Sequence, residues 1–170
     1  MSIHNILTGL HDADVHFVVV GMVAGQIHGS RQLTEDIDIV YDPSPENMAT
    51  LVRYLSAINA YIQELWPQEG FASPLSLERL QVAESLTLGS DEGEIDLLHR
   101  IDGVGSYQNV LDASQTASIA DRDILVLSVE AVIASKRASN RQKDLLHLPE
   151  LEAIAEIRNA QRREREGPTR

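Results

Sequence analysis

The chain has 170 residues, 43% hydrophobic and 24% charged, which is enough for one globular domain and short for two. It has no cysteine, which excludes disulfides and thiolate-ligated metals and fits a reducing, cytoplasmic setting. The net charge of −12 disfavours non-specific attachment to nucleic acid.

That charge is uneven. Residues 1–130 carry 5 Lys+Arg against 20 Asp+Glu, a balance of −15, whereas residues 131–170 carry 9 against 6, a balance of +3. The basic portion is where an anionic substrate can be met; a solvated helix of mixed charge is the plainer reading. Met1-Ser2-Ile3-His4-Asn5 shows no cationic segment followed by an apolar run, so no secretory signal is expected. No apolar run approaches the roughly 20 residues of a membrane span.

Residues 2–12 place Ile3, Ile6, Leu7 and Leu10 on one helical face. Val15-His16-Phe17-Val18-Val19-Val20 reads as a buried strand ending at Gly21. Helical spacing resumes over 22–28 and Gly29-Ser30 breaks it. Arg31 to Glu35 then lead into Asp36-Ile37-Asp38-Ile39-Val40-Tyr41. Strand side chains alternate faces with period 2. Asp36 and Asp38 therefore point one way, and Ile37 and Ile39 point into a core. Two converging carboxylates repel each other, and a divalent cation with oxygen ligands, commonly Mg²⁺, offsets that repulsion.

Asp42-Pro43-Ser44-Pro45 ends this strand, and Met48, Leu51, Val52 and Leu55 mark a helix to about residue 57. Residues 58–83, punctuated by Trp66-Pro67 and Ser73-Pro74, read as an insert or connection with a helical turn over Leu75 to Leu80. Segments 84–89 and 94–100 read as two strands joined by Ser90-Asp91-Glu92-Gly93, and both are expected to flank the 36–41 strand. Asp96 sits among apolar neighbours in the second, where a charge needs a partner or a metal.

Residues 103–113 read as a loop and short helix, and 124–127 as a last strand. From Ser128 the pattern is helical, with a break at Ser139-Asn140 and a second helix from about 141 that Pro149 should bend or restart. Lys136 and Lys143, seven apart, share a face if that helix is unbroken, and cations there suit a polyphosphate. Asp144 reads as an ion-pair partner for Lys136 or Arg141. His28, His99 and His147 share no zinc-like spacing. The domain is expected to span 1–160, with 161–170 a charged, frayed tail.

Val18-Val19-Val20-Gly21, His28-Gly29-Ser30-Arg31, Thr34-Glu35-Asp36-Ile37-Asp38, Gly93-Glu94-Ile95-Asp96-Leu97-Leu98 and the segment Ala134 to Leu145 occur in that order. Together they resemble the nucleotidyltransferase superfamily, with its minimal polymerase-beta-like fold. The nearest branch is the AbiEii-like group, which includes toxins of type IV toxin–antitoxin systems. The resemblance covers roughly residues 15–155.

It implies an α/β (α+β) minimal nucleotidyltransferase fold: a mixed central sheet flanked by helices, with C-terminal helices closing the site. It implies Mg²⁺- or Mn²⁺-dependent transfer of an NMP from an NTP to an acceptor hydroxyl of RNA (a tRNA end), a protein or a small molecule. A cognate antitoxin would be a further partner, and no membrane is involved. Asp36, Asp38 and Asp96 are implied as metal ligands and catalytic carboxylates, and Lys136, with Arg141 and Lys143, as triphosphate contacts. Gly21 opens a helix where backbone N–H groups can meet a phosphate, and Ser30 and Arg31 are further candidate phosphate contacts. Met22 stands where the family has a second small residue, so its side chain is expected to obstruct phosphate. The alternative is therefore a catalytically impaired nucleotide-binding or partner-binding module of the same fold.

Overall fold

The computed structural model describes residues 3–63 and 73–166. In chain order its elements are α1 (Ile3–Asp12), β1 (Phe17–Val19), α2 (Gly21–Ile27), β2 (Asp36–Tyr41), α3 (Pro45–Ala57), β3 (Tyr61–Ile62), β4 (Ser73–Pro74), α4 (Leu77–Val82), β5 (Ser85–Gly89) and β6 (Glu94–Leu98). The short pair β7 (Arg100–Ile101) and β8 (Gly105–Ser106) follows, then α5 (Tyr107–Asp112), β9 (Ser114–Ile119), β10 (Arg122–Leu127), α6 (Val129–Ser139) and α7 (Gln142–Glu166).

Eight strands form one mixed sheet in the order β4-β3-β5-β6-β2-β1-β10-β9. The β2–β6 and β1–β10 pairs are parallel and the other pairs antiparallel. The sheet centre is apolar where the sequence is apolar: Val18, Val19, Ile37, Ile39, Ile95, Leu97 and Val126 are all buried. In β2 the burial alternates until Ile39, which holds Asp36 and Asp38 on one face and Ile37 and Ile39 on the other. The expected α/β architecture with a mixed central sheet and flanking helices is the one observed.

Local chemistry fixes the connections near the site. The β1–α2 turn needs Gly21, whose φ is +61°. Helix α2 is apolar apart from Gln26, with Met22, Val23, Ala24 and Gly25 buried, as suits a helix packed between the sheet and other helices. A Cβ on Gly25 would come within 3.2 Å of Leu151, so its bare Cα lets α7 approach α2. Asn47 of α3 locks the far end of β2: it accepts from the His16 N–H at 2.7 Å and donates to the His16 and Asp42 carbonyls at 3.0 and 2.8 Å. In the β5–β6 turn, Ser90 Oγ accepts from the Gly93 N–H and donates to its carbonyl.

Several details depart from the sequence reading. Of the two strands 84–89 and 94–100, only the second, β6, flanks β2, whose other neighbour is β1; β5 lies one strand further out. The 94–100 strand stops at Leu98; Arg100–Ile101 forms β7, which pairs with β8 (Gly105–Ser106) inside the region read as a loop. The last strand runs from Arg122 and pairs with β9, a full strand that periodicity did not reveal. Helices α6 and α7 are separated by Asn140 in the left-handed region at φ 49°, so Lys136 and Lys143 stand on different helices rather than on one unbroken face. Helix α7 passes through Pro149 and continues over 161–166. The Trp66-Pro67 signal lies outside the described residues.

Candidate functional site

The parallel register of β2 and β6 places Asp38 directly opposite Asp96. One carboxylate oxygen from each of Asp36, Asp38 and Asp96 lies within 4.8 Å of the other two. Burial first, and then the charges of Asp36 and Asp96, push the Asp38 carboxyl up to about 7. Burial also raises Asp96, against the hydroxyl of Thr87, its cross-strand partner on β5. Asp96 Oδ1 is buried with no hydrogen-bond partner. Buried carboxylate oxygens are seldom left so, and three oxygen donors at this spacing are what a hard divalent cation takes. The residues present therefore fit Mg²⁺ or Mn²⁺. Asp36 Oδ1 also accepts from Thr34 Oγ1.

The triad opens on a cleft of about 900 Å³. Lys136 from α6, with Arg141, Lys143, Asp144 and His147 around the start of α7, contributes to its lining along with the triad. Lys136 Nζ donates to Asp144 Oδ1 at 2.8 Å, the ion pair expected from the sequence. Burial opposes ionisation of Asp144, but hydrogen bonds from Lys136 and Ser139 outweigh it and hold its carboxyl below the usual range.

Gly21 and Met22 line the cleft beside the triad. The Gly21 Cα lies against Asp38: a Cβ there would come 1.9 Å from Oδ2. Met22 is nearly buried, with its sulfur 3.8 Å from Ser30 Oγ and close to Gly25. Ser30 and Arg31 are not among the lining residues. Ser30 Oγ donates to Glu150 Oε2 and the Arg31 backbone N–H to Oε1, both at 2.9 Å. Glu150 of α7 thus clasps the loop that feeds β2.

Residues not singled out from the sequence complete the lining. Glu84, Ser85 and Thr87 lie on the β5 side, and Arg100 and Asp102 on the β7–β8 hairpin. That hairpin is braced on α6, where a Cβ on Gly103 would come 2.6 Å from the Ala134 carbonyl. His147, which shares no zinc-like spacing with His28 and His99 in the sequence, lines the cleft with Nδ1 buried and unpartnered. Its spacing of three from Asp144 and four from Lys143 is the signal that places it on their face. Burial and the nearby Lys136 charge lower its pKa. His28 instead sits by the Leu127 carbonyl, 2.7 Å from Nε2, and His99 by the Tyr41 hydroxyl.

No family model matches the chain, and no curated protein matches it in sequence. Solved structures do match it. The lincomycin-bound lincosamide antibiotic adenylyltransferase LnuA superposes with a TM-score of 0.59 at 19% identity, over 88% of this chain and 93% of that one. ANT(2'')-Ia in complex with adenylyl-2''-tobramycin gives 0.55 at 16% identity, over 97% of each chain. The chain has the nucleotidyltransferase fold. The solution structure of ANT(2'')-Ia, an antibiotic-resistance factor, gives 0.54 at 14% identity over 94% of this chain. Within this nucleotidyltransferase fold the acidic triad stands on the paired central strands β2 and β6, and the Lys136 helix borders the same cleft.

Proposed function

We propose that the protein is a divalent-metal-dependent nucleotidyltransferase that moves an NMP from an NTP to an acceptor hydroxyl. The observation that carries this reading is the unpartnered, buried Asp96 Oδ1 beside Asp36 and Asp38. A bound Mg²⁺ or Mn²⁺ supplies charge compensation for the triphosphate and for the transition state.

The chain's own residues divide the remaining work. Asp36, Asp38 and Asp96 hold the cation. Lys136, Arg141 and Lys143 grip the triphosphate from α6 and α7. Asp96 takes the acceptor's proton. The acceptor oxygen bonds to the α-phosphorus, the bond from that phosphorus to the bridging oxygen breaks, and pyrophosphate leaves. Gly21 leaves room for Asp38, and Met22 packs toward Ser30 and Gly25.

The acceptor is a small hydroxylated molecule, met at Ser85 and Thr87 beside Asp96. The lincomycin and adenylyl-tobramycin of the structural relatives support that size of acceptor. A second acceptor, an RNA end with toxin activity and a cognate antitoxin, draws on the AbiEii-like resemblance and on the +3 balance of residues 131–170. Among the described residues no helix is long and apolar enough to cross a membrane, and the cysteine-free composition suits a cytoplasmic enzyme.

The test uses NTPs labelled at the α- or γ-phosphate, with Mg²⁺ and cell extract fractionated into small molecules, RNA and protein. The α-label should enter the small-molecule fraction and the γ-label should leave as pyrophosphate. Transfer of γ-label to the acceptor, or equal α-labelling by an Asp36→Asn/Asp38→Asn variant, contradicts the reading.

A further inference from the structure

Lys136 stands in the last turn of α6 and Asp144 in the first turn of α7. The left-handed residue Asn140 folds one helix back on the other. Asp144 uses both oxygens there: Oδ1 accepts from Lys136 Nζ at 2.8 Å and Oδ2 from Ser139 Oγ at 2.7 Å. Each side chain of the ion pair is only 11% exposed. A pair this buried contributes little net stability, because desolvation offsets the attraction. What it does is remove freedom from a long, flexible lysine before any ligand arrives.

An ammonium has three donors, and Asp144 takes one of Lys136's. Lys136 also lines the cleft that Asp36, Asp38 and Asp96 open on. Arg141 and Lys143 line it too, and neither forms an ion pair among the described residues. The cleft thus holds one cation that is fixed and charge-balanced, and three, Arg100, Arg141 and Lys143, that form no ion pair among the described residues and are free to meet an anion.

We propose that Asp144 is a positioning residue that aims the Lys136 ammonium at the bound triphosphate, while Arg141 and Lys143 supply the net positive charge. This role rests on the nucleotidyltransferase reading. It differs from a plain brace of the α6–α7 turn, because it acts through Lys136 alone. Asparagine at 144 keeps an acceptor for Lys136 and loses the charge; alanine loses both.

The experiment is a double-mutant cycle read by titration calorimetry with ATP, GTP, CTP and UTP in Mg²⁺, alongside KM and kcat for the NTP that binds. Lys136→Ala and Asp144→Ala should each weaken NTP binding about tenfold, Asp144→Asn by less, and the double variant no further than Lys136→Ala. The KM for NTP should rise with these losses. If wild type binds and the losses add in the double variant, the positioning role is overturned and the enzymatic reading stands. The same holds if Asp144→Ala lowers the unfolding midpoint and leaves NTP affinity unchanged. If wild type binds no NTP, both are overturned. Should Asp144→Ala fail to fold, the near-isosteric Asp144→Asn replaces it in the cycle: a loss absorbed by Lys136→Ala supports the positioning role, and an additive loss overturns it.

Discussion

Gly21 and Asp38 are packed so closely that a Cβ on residue 21 would lie 1.9 Å from Asp38 Oδ2. The backbone at Gly21 is also left-handed, at φ +61°. An alanine there meets two penalties: about 1–2 kcal/mol for the backbone, and displacement of the carboxylate. The carboxylate is a terminal group, so it turns aside more readily than the backbone shifts. Gly21→Ala should therefore lower the melting temperature by several degrees and impair the site more than the fold. The Mg²⁺-induced rise in melting temperature checks this and should be largely lost. A variant that keeps the full Mg²⁺ response would separate Gly21 from the site.

Asp38 makes stability depend on pH in a defined sense. Its carboxyl is raised from 3.8 to about 7 in the fold by burial and by Asp36 and Asp96. The folded state keeps a proton that the unfolded chain releases, so this contribution is full below about pH 4 and fades as pH rises to about 7. The metal-free protein should lose up to about 4 kcal/mol across that window from this group. Asp38→Asn should flatten the slope and stabilise the metal-free protein at pH 8. Urea unfolding in EDTA at stepped pH measures it, and an unchanged slope in the variant would contradict the electrostatic account.

Pro149 gives a test on stability alone. It sits inside α7 and is exposed, where it removes one helix hydrogen bond and crowds the preceding turn. Pro149→Ala should raise stability by about 2–3 kcal/mol, seen as a higher urea midpoint with the same slope. An unchanged midpoint would mean the surrounding contacts already compensate for the proline.

The acidic triad is legible in the sequence because it follows from strand periodicity: an Asp-x-Asp pair must share a face, and Asp96 lies in a second apolar strand. The α6–α7 break is legible from Ser139-Asn140, since asparagine accepts a left-handed backbone. Strand β9 is not legible. Its sequence Ser-Gln-Thr-Ala-Ser-Ile is polar, only Ile119 is buried, and it lies at the sheet edge, so burial imposes little pattern. The order of β5 and β6 beside β2 is a choice of register and crossover that composition does not encode.

The site's outer lining escapes the sequence for a similar reason. Glu84, Ser85, Thr87, Arg100 and Asp102 are polar residues on ordinary surface-like segments until the sheet and the hairpin gather them at one cleft. Ser30 and Arg31 lie close in sequence to the aspartate strand, yet both are tied to Glu150, 120 and 119 residues away. A long-range partner of this kind redirects the Ser30 hydroxyl and ties the Arg31 backbone, where local spacing assigns both to the site.

The proposed chemistry requires that Asp36, Asp38 and Asp96 together hold a divalent cation. Titration of Mn²⁺ followed by electron paramagnetic resonance, with and without NTP, measures this directly. Wild type should bind Mn²⁺, more tightly with NTP present, and Asp38→Asn and Asp96→Asn should each weaken binding at least tenfold while remaining folded. Equal Mn²⁺ binding by wild type and both variants, or none by wild type with NTP present, would contradict it.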